Sequence, residues 1–215
     1  MKYELMIFDL DGTILNTLDD LADSCNEILK RNNFPEHTTE EIKYMVGNGI
    51  PKLIERALPA NVKKDVYTKV LQDFIEYYQT HSAIKTAPYA GMAETLEALK
   101  KKGVILAVNT NKLKEAAVEL CNRYFPNIFD VIAGGKIGQE PKPAPIGVNE
   151  ILAKTGILKE KAVFIGDSDV DIQTGKNSGI DAIGVAWGFR GEEFLRKNGA
   201  EKVIRICTEL LSSIE

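Results

Sequence analysis

The sequence is poor in histidine, and also in cysteine, the residue that builds thiolate metal sites and disulfide frameworks. Among 215 residues there are two histidines and three cysteines, which are Cys25, Cys121 and Cys207. No two cysteines stand in a CxxC spacing, so neither a disulfide framework nor a zinc site of the thiolate kind is predicted. Because such cysteines fit a reducing compartment, a cytoplasmic location is expected.

The chain also lacks an excess of charge of one sign and any long hydrophobic run. Its net charge is −4, with 27 basic and 31 acidic residues mixed along the chain, so no basic surface for nucleic acid is predicted. Apolar runs such as residues 104–108 are far shorter than the ~20 residues that cross a bilayer. The first ten residues do not have the pattern of a signal peptide. Neither nucleic acid nor a membrane is an expected partner.

What the sequence does contain is a set of three short apolar runs, each of which ends in polar residues. The runs and the polar residues that follow them are residues 5–8 with Asp9, residues 104–108 with Thr110, and residues 163–165 with Asp167. Each run predicts a buried strand, and the stretches between them show the apolar spacing of helices. This alternation predicts an α/β fold with a doubly wound parallel sheet, in which ligands bind beyond the carboxyl ends of the strands.

Between residues 15 and 82, several helix-like patterns follow one another without a strand among them. The candidate helices are residues 18–30, 40–46, 51–58 and 62–78. This break in the alternation predicts a small all-helical cap domain, inserted after the first strand and placed over the binding crevice as a lid. The predicted domains are therefore an α/β catalytic core, residues 1–14 and 84–215, and a helical cap, residues 15–83. Two further short strands are predicted at residues 182–185 and 202–204.

The first candidate for chemistry is the segment Asp9-Leu10-Asp11-Gly12-Thr13. Two carboxylates that stand two residues apart leave a strand on the same side. They would repel each other unless a cation lay between them, and Mg²⁺ is the cation that prefers a few carboxylates together with waters and phosphate oxygens. The alternative is a pair of acids in the turn before Gly12, and the segment alone does not exclude it.

A second acidic cluster follows the run at residues 163–165. Asp167, Asp169 and Asp171 fall within five residues, and Asp167 stands where a second ligand for the same cation is expected. Asp169 or Asp171 could orient a metal-bound water, hold a lysine, or cap the following helix. For Asp169, a capping or exposed position is expected.

Thr110 and Lys142 are the candidate phosphate-binding groups. Thr110, followed by Asn111 and Lys112, can offer a hydroxyl and backbone N–H groups at a turn between a strand and a helix. Lys142 stands in the segment Glu140-Pro141-Lys142-Pro143-Ala144-Pro145, where the prolines restrict the backbone and so the reach of the ammonium. A solvated surface lysine and a functional lysine are both consistent with that segment.

Together these motifs resemble the haloacid dehalogenase superfamily of phosphohydrolases over essentially the whole chain. The resemblance implies a Mg²⁺-dependent phosphatase that acts on a small phosphorylated metabolite and carries a helical cap. It implies Asp9 as the nucleophile that forms an aspartyl phosphate, Asp11 as general acid and base, Thr110 as a phosphate ligand, and Lys142 as the group that neutralises charge. The implied Mg²⁺ ligands are Asp9, the backbone carbonyl of Asp11, and Asp167, with Asp171 orienting them.

Within that superfamily, residues 45–58 and the sequence Thr110-Asn111-Lys112 are similar to the phosphoglycolate phosphatases. The predicted substrate contacts are Gly12, Thr13 and Asn111 beside the reacting carboxylates, and Gly47, Asn48 and Arg56 in the helical insertion. Gly47 and Gly49 would let backbone amides approach a small carboxylate-bearing ligand, although a glycine-rich connection between helices explains the same residues equally well.

Three other functions are weighed against this one. A phosphosugar mutase similar to β-phosphoglucomutase would retain the same motifs and differ in its cap. A true dehalogenase resembles the chain less, because it needs neither a metal nor an acid at the position of Asp11. A phospho-accepting signalling receiver also gathers acids, a threonine and a lysine around Mg²⁺, but it lacks a helical insertion. The quaternary structure is expected to be a monomer or a homodimer.

Overall fold

The chain folds into two compact units of different secondary structure. The computed structural model describes residues 2–136 and 138–214. One unit comprises Met1–Leu15 with Pro88–Glu215, and the other comprises Asn16–Ala87. The first contains a parallel sheet and its helices, and the second contains four helices. The predicted assignment of a catalytic core and a cap to such segments stays a prediction.

A six-stranded sheet forms the centre of the α/β unit, with the strand order β5-β4-β1-β6-β7-β8 and parallel pairing between all neighbours. Short strands β2 and β3 pair with each other separately. The strands are β1 (Leu5–Phe8), β2 (Leu15–Asn16), β3 (Ala87–Pro88), β4 (Ile105–Leu113), β5 (Val131–Gly135), β6 (Ala162–Gly166), β7 (Asp181–Val185) and β8 (Lys202–Ile204). The predicted α/β fold with a parallel sheet is confirmed.

The central strand β1 is apolar throughout because it is covered on both faces. All four of its residues are completely buried, as is typical of strands in a parallel sheet with helices on both sides. Phe8 pairs in register with Val108 of β4 and with Ile165 of β6. The three predicted strands therefore end at the same level, so that the polar residues after them meet at one edge of the sheet.

Helices in both units occupy the amphipathic stretches between the strands. The helices of the helical unit are α1 (Leu18–Arg31), α2 (Thr39–Met45), α3 (Ile50–Ala57) and α4 (Lys64–His81). Those of the α/β unit are α5 (Met92–Lys101), α6 (Lys114–Tyr124), α7 (Ile146–Thr155), α8 (Asp169–Ser178), α9 (Gly191–Lys197) and α10 (Glu209–Ser212), with a short 3-10 helix at Lys159–Lys161. Within the described ranges, none of these helices has the length and apolarity needed to span a lipid bilayer.

A buried carboxylate ties the end of the helical unit to its first helix. Asp20, in the first turn of α1, is 2% exposed. Its side chain accepts hydrogen bonds from the backbone N–H groups of Ile84 at 3.0 Å, Lys85 at 2.9 Å and Thr86 at 2.8 Å. Because these N–H groups belong to no helix, the carboxylate supplies them with an acceptor that helical pairing does not. Asp20 thereby fixes the conformation of the segment that leads out of the unit.

Candidate active site

Asp9 lies at the carboxyl end of the central strand and is held there by the sheet. Its backbone N–H donates to the carbonyl of Ile165 at 2.9 Å, which continues the pairing of β1 with β6. Asp9 and Thr110 are buried, at 8% and 4% exposure, and Asp167 is buried at 2%. The structure thus brings together the polar residues that follow the three predicted strands.

Lys142 binds two carboxylates in this site. Its Nζ lies 2.8 Å from Oδ1 of Asp9 and 2.6 Å from Oδ1 of Asp171. Burial alone would lower the pKa of Lys142, but the charges of Asp171 and Asp9 outweigh burial and hold that pKa above its usual range. Lys142 is therefore a permanent ammonium beside Asp9. The backbone N–H of Lys142 donates to Oδ1 of Asn111 at 2.7 Å, which fixes the segment that carries it.

Asp171 combines two of the three roles that the sequence leaves open. Its Oδ1 accepts from Lys142, and its Oδ2 accepts from the backbone N–H of Ser168 at 3.0 Å and from the Ser168 hydroxyl at 2.6 Å. Asp171 thus holds a lysine and also caps the start of α8, where it is completely buried. Asp169 lies in the first turn of the same helix and is half-buried.

The acids of the site carry more negative charge than the lysine beside them compensates. Burial raises the pKa of Asp9 from 3.8 to about 7, against the opposing effect of Lys142. Burial also raises the pKa of Asp167 well above its usual range, and the charges of Asp171 and Asp9 add to this effect. One carboxylate oxygen from each of Asp9, Asp167 and Asp171 lies within 4.8 Å of the other two. Buried carboxylates arranged in this way could hold a cation, whose charge would offset theirs.

The donor set fits a hard divalent cation that takes oxygen ligands. Oδ1 and Oδ2 of Asp171 already accept strong hydrogen bonds, whereas Asp9 and Asp167 each accept fewer. Asp167 is held by the N–H of Phe189 at 2.7 Å. Asp9 and Asp167 are thus the better placed ligands, and Asp171 is better placed to orient Lys142. The side chain of Asp11 is engaged elsewhere, which leaves its backbone carbonyl as the predicted donor.

Asp11 forms an ion pair with Lys112. The Nζ of Lys112 lies 2.9 Å from Oδ1 and 3.3 Å from Oδ2 of Asp11. Lys112 is buried and Asp11 is half-buried. The sequence pattern indicated only a backbone N–H role for Lys112, so the contact of its ammonium with Asp11 was not predicted. The adjacency of β1 and β4 was the signal that could have placed the two side chains together.

Gly12, Thr13 and Thr110 have local structural contacts in the site. Gly12 has φ +84°, and a Cβ there would collide with the carboxyl of Asp167 and with the Phe189 ring. Thr13 is completely buried, and its hydroxyl donates to Oδ1 of Asp167 at 3.3 Å. The hydroxyl of Thr110 accepts from the backbone N–H of Lys112 at 3.1 Å. The contacts of Gly12, Thr13, Asn111 and Thr110 with a substrate stay predictions.

The remaining predicted substrate contacts lie in the helical unit, with Gly47 and Asn48 in the turn between α2 and α3 and Arg56 in α3. Arg56 donates to Oδ1 of Asn48 at 2.8 Å and to the carbonyl of Met45 at 2.7 Å. Gly47 has φ +118°, a backbone conformation that side chains rarely adopt. Asn48 and Arg56 therefore stabilise this turn, and their contact with a substrate stays a prediction.

Known proteins share both the sequence and the fold of this chain. Residues 6–185 match the haloacid dehalogenase-like hydrolases. The phosphoglycolate phosphatase of Aquifex aeolicus is 34% identical, over 86% of this chain and 85% of its own length. That of Haemophilus influenzae is 33% identical, over 98% of each chain. The crystal structure of a proposed phosphoglycolate phosphatase from Lactobacillus delbrueckii subsp. bulgaricus superposes with a TM-score of 0.94 at 36% identity, covering 100% of this chain and 99% of the other.

The chain belongs to the haloacid dehalogenase-like hydrolases, because their match extends over most of its length. It is a phosphatase, a hydrolase of phosphoric monoesters, as its relatives are. The superfamily and the enzyme class predicted from the motifs are thereby confirmed. The alternatives of a phosphosugar mutase and of a signalling receiver find no support in these relatives. Metal dependence is general among phosphatases of this superfamily, and the acids of the site provide a place for the ion.

Proposed function

We propose that the protein is a Mg²⁺-dependent phosphatase that hydrolyses phosphoglycolate through an aspartyl phosphate on Asp9. The proposed mechanism rests on one observation. Asp9 is a buried carboxylate in contact with the Lys142 ammonium, inside an acidic cluster that suits Mg²⁺, while the second acid of its motif is bound to a different lysine. The proposed substrate rests on the relatives, which include phosphoglycolate phosphatases from Aquifex aeolicus and Haemophilus influenzae.

In the first step, an oxygen of Asp9 attacks the phosphorus atom and the bond between phosphorus and the substrate alcohol oxygen breaks. Asp11 gives its proton to the departing oxygen, so that glycolate leaves as an alcohol. The position of Asp11, two residues after Asp9 on the same side of the strand end, suits this transfer. The products of this step are the aspartyl phosphate and the free alcohol.

In the second step, a water oxygen attacks the same phosphorus atom while Asp11 takes a proton from that water. The bond between phosphorus and the Asp9 oxygen breaks, which releases inorganic phosphate and restores the carboxylate. Asp11 therefore acts once as an acid and once as a base, and it ends each cycle in the state in which it began.

Positive charge is what allows the Asp9 carboxylate to approach a phosphate dianion. The ammonium of Lys142 is held by Asp171 and lies beside Asp9, and the backbone N–H of Lys142 donates to Asn111, so that little reorganisation is needed during the reaction. Bound Mg²⁺, held by Asp9, Asp167 and the backbone carbonyl of Asp11, would supply further positive charge to the phosphoryl oxygens. The Thr110 hydroxyl is the proposed phosphate ligand beside them.

Recognition of glycolate requires a group that binds its carboxylate. Arg56 and Asn48 are the proposed contacts, because a guanidinium forms paired hydrogen bonds with a carboxylate and an amide can donate one more.

A cytoplasmic location belongs to the same proposal, supported by three cysteines whose thiols are free and buried. A monomer or a homodimer is proposed as the working form.

The test is phosphate release from a panel of phosphoesters that includes phosphoglycolate, measured with Mg²⁺ and with a chelator. Asp9→Asn is the informative variant, and Asp65→Asn, an exposed position on α4, is the matched control. Release that requires both Mg²⁺ and Asp9, with phosphoglycolate as the best substrate, would support the proposal. Release that survives Asp9→Asn would overturn the mechanism. A much higher kcat/KM for another ester would overturn the substrate alone.

A further inference from the structure

The site contains two buried lysines, and they bind different acids. Lys142 pairs with Asp9 and Asp171, whereas Lys112 pairs with Asp11. The side chains of Lys142 and Lys112 are 4% and 3% exposed. A buried ammonium is costly unless a carboxylate compensates it. The two acids of the first motif, Asp9 and Asp11, are therefore held by different lysines.

Both oxygens of Asp11 are within reach of the Lys112 ammonium, at 2.9 Å and 3.3 Å. A contact of one ammonium with both oxygens restrains the rotation of the carboxyl group as well as its position. Lys112 itself is fixed, because its backbone lies in β4 and its N–H donates to the hydroxyl of Thr110. The orientation of Asp11 is thus set by a group on the neighbouring strand.

We propose that Lys112 is the positioning residue for Asp11 and holds its carboxyl group where it can reach the oxygen that leaves the phosphorus. This inference rests on the proposed function, in which Asp11 transfers the proton. Lys112 acts through Asp11 and makes its contribution to the proton transfer. Charge neutralisation at the phosphoryl group itself is the role of Lys142.

This division of roles has a chemical consequence that depends on the leaving group. An alkoxide such as that of glycolate must receive a proton to leave, whereas para-nitrophenolate leaves readily without one. Loss of a group that positions the acid therefore slows cleavage of alkyl phosphates far more than cleavage of aryl phosphates. Loss of a group that stabilises the phosphoryl charge slows both substrates alike.

The experiment compares Lys112→Met with wild-type protein in Mg²⁺, using single-turnover cleavage of phosphoglycolate and of para-nitrophenyl phosphate. We expect the phosphoglycolate rate to fall about 10- to 100-fold and the aryl rate by less than about threefold, because only the first needs the acid. Lys112→Arg should restore part of the loss. Lys154→Met is the matched control, since the exposed Lys154 of α7 pairs with Glu150 at the same 2.9 Å. The wild-type rates and the Asp9→Asn variant report on the proposed function separately.

A double-mutant cycle keeps the inference testable if Lys112→Met is less stable than expected. If Lys112 acts only through Asp11, Lys112→Met costs almost nothing further in an Asp11→Asn background. Multiplicative losses in that background would overturn the inference, because Lys112 would then act independently of Asp11. Equal losses on both substrates, a rise in KM without a fall in kcat, or unchanged rates would overturn it as well.

Discussion

Lys142 lies closer to Asp171, at 2.6 Å, than to Asp9, at 2.8 Å. The shorter contact is thus made with Asp171, which also caps α8. The Lys142 ammonium beside Asp9, the proposed nucleophile, is therefore held in place by a second carboxylate. Asp171 is completely buried. Removing its carboxylate would leave the positive charge of buried Lys142 less fully compensated, in a place that water does not reach.

We therefore expect Asp171→Ala to lower the free energy of unfolding by about 3 kcal/mol, because it breaks a buried ion pair. The measurement is equilibrium unfolding in urea with a chelator present. Asp169→Ala, two residues earlier in the same helix, should cost less than about 1 kcal/mol, since it removes only a favourable charge in the first turn. Similar losses in both variants would contradict the role assigned to the Lys142–Asp171 contact.

The raised pKa of Asp9, about 7, predicts how the metal-free protein responds to pH. Asp9 has an ordinary value of 3.8 when exposed, so between these values the native state binds more protons than the unfolded state. Stability should therefore fall as pH rises, by on the order of 3 kcal/mol between about pH 4 and pH 8. Urea unfolding in chelator across this range measures the fall.

Two comparisons check the origin of that pH dependence. Asp9→Asn removes the titrating group and should flatten the pH profile of stability, although Asp167 retains a part of it. Adding Mg²⁺ should stabilise the wild type more at about pH 8 than at about pH 5, because the ion binds the ionised carboxylates. A metal-free stability that rises with pH would contradict the burial of these acids.

Alanine substitutions at Gly12 and Gly91 distinguish the cost of backbone strain from the cost of steric collision. Both have positive φ, +84° and +75°, but a Cβ at Gly91 meets nothing within 4 Å, whereas at Gly12 it meets Asp167 and Phe189. Gly91→Ala should cost about 1 kcal/mol from strain alone, and Gly12→Ala about 2–4 kcal/mol once overpacking is added. Thermal unfolding measures both variants. Only Gly12→Ala should also weaken Mg²⁺ binding, because the collision displaces Asp167.

Asp20 should control the mobility of the segment that it binds. In Asp20→Ala, the backbone N–H groups of residues 84–86 lose their acceptor, and their hydrogen exchange should become faster by about tenfold or more, as the loss of roughly 1.5 kcal/mol of hydrogen bonding predicts. Mass spectrometry of exchanged peptides measures this rate. Asp19→Ala, the exposed neighbour, is the control and should leave the exchange of that segment unchanged.

Much of the fold could be predicted because apolar spacing decides it. The predicted helix at residues 51–58 corresponds to Ile50–Ala57, and the run at residues 5–8 is β1. Strand β5, Val131–Gly135, was not predicted, because it lies at the edge of the sheet, is only partly buried and ends in two glycines. Such a strand gains its conformation from its neighbour β4 more than from its own side chains.

The motifs of the site could also be predicted, but not the pairing of its charges. Spacing places Asp9, Asp11 and Asp167 at strand ends, since the carboxyl ends of parallel strands meet. The pair Lys112–Asp11 joins residues 101 positions apart, and the choice between capping and lysine binding at Asp171 depends on side-chain conformations. These properties belong to the packed structure, so sequence spacing alone left them open or missed them.

The pairing of two lysines with four acids fixes the formal charge of the site. Asp11 carries its proton before the first step, so ionised Asp9, Asp167 and Asp171 exceed Lys112 and Lys142 by one negative charge. One divalent cation therefore leaves the site with a single positive charge, and a phosphate dianion meets no net repulsion as it approaches. A trivalent ion of similar size would leave two positive charges, which should retain the product phosphate and turn an activator into an inhibitor.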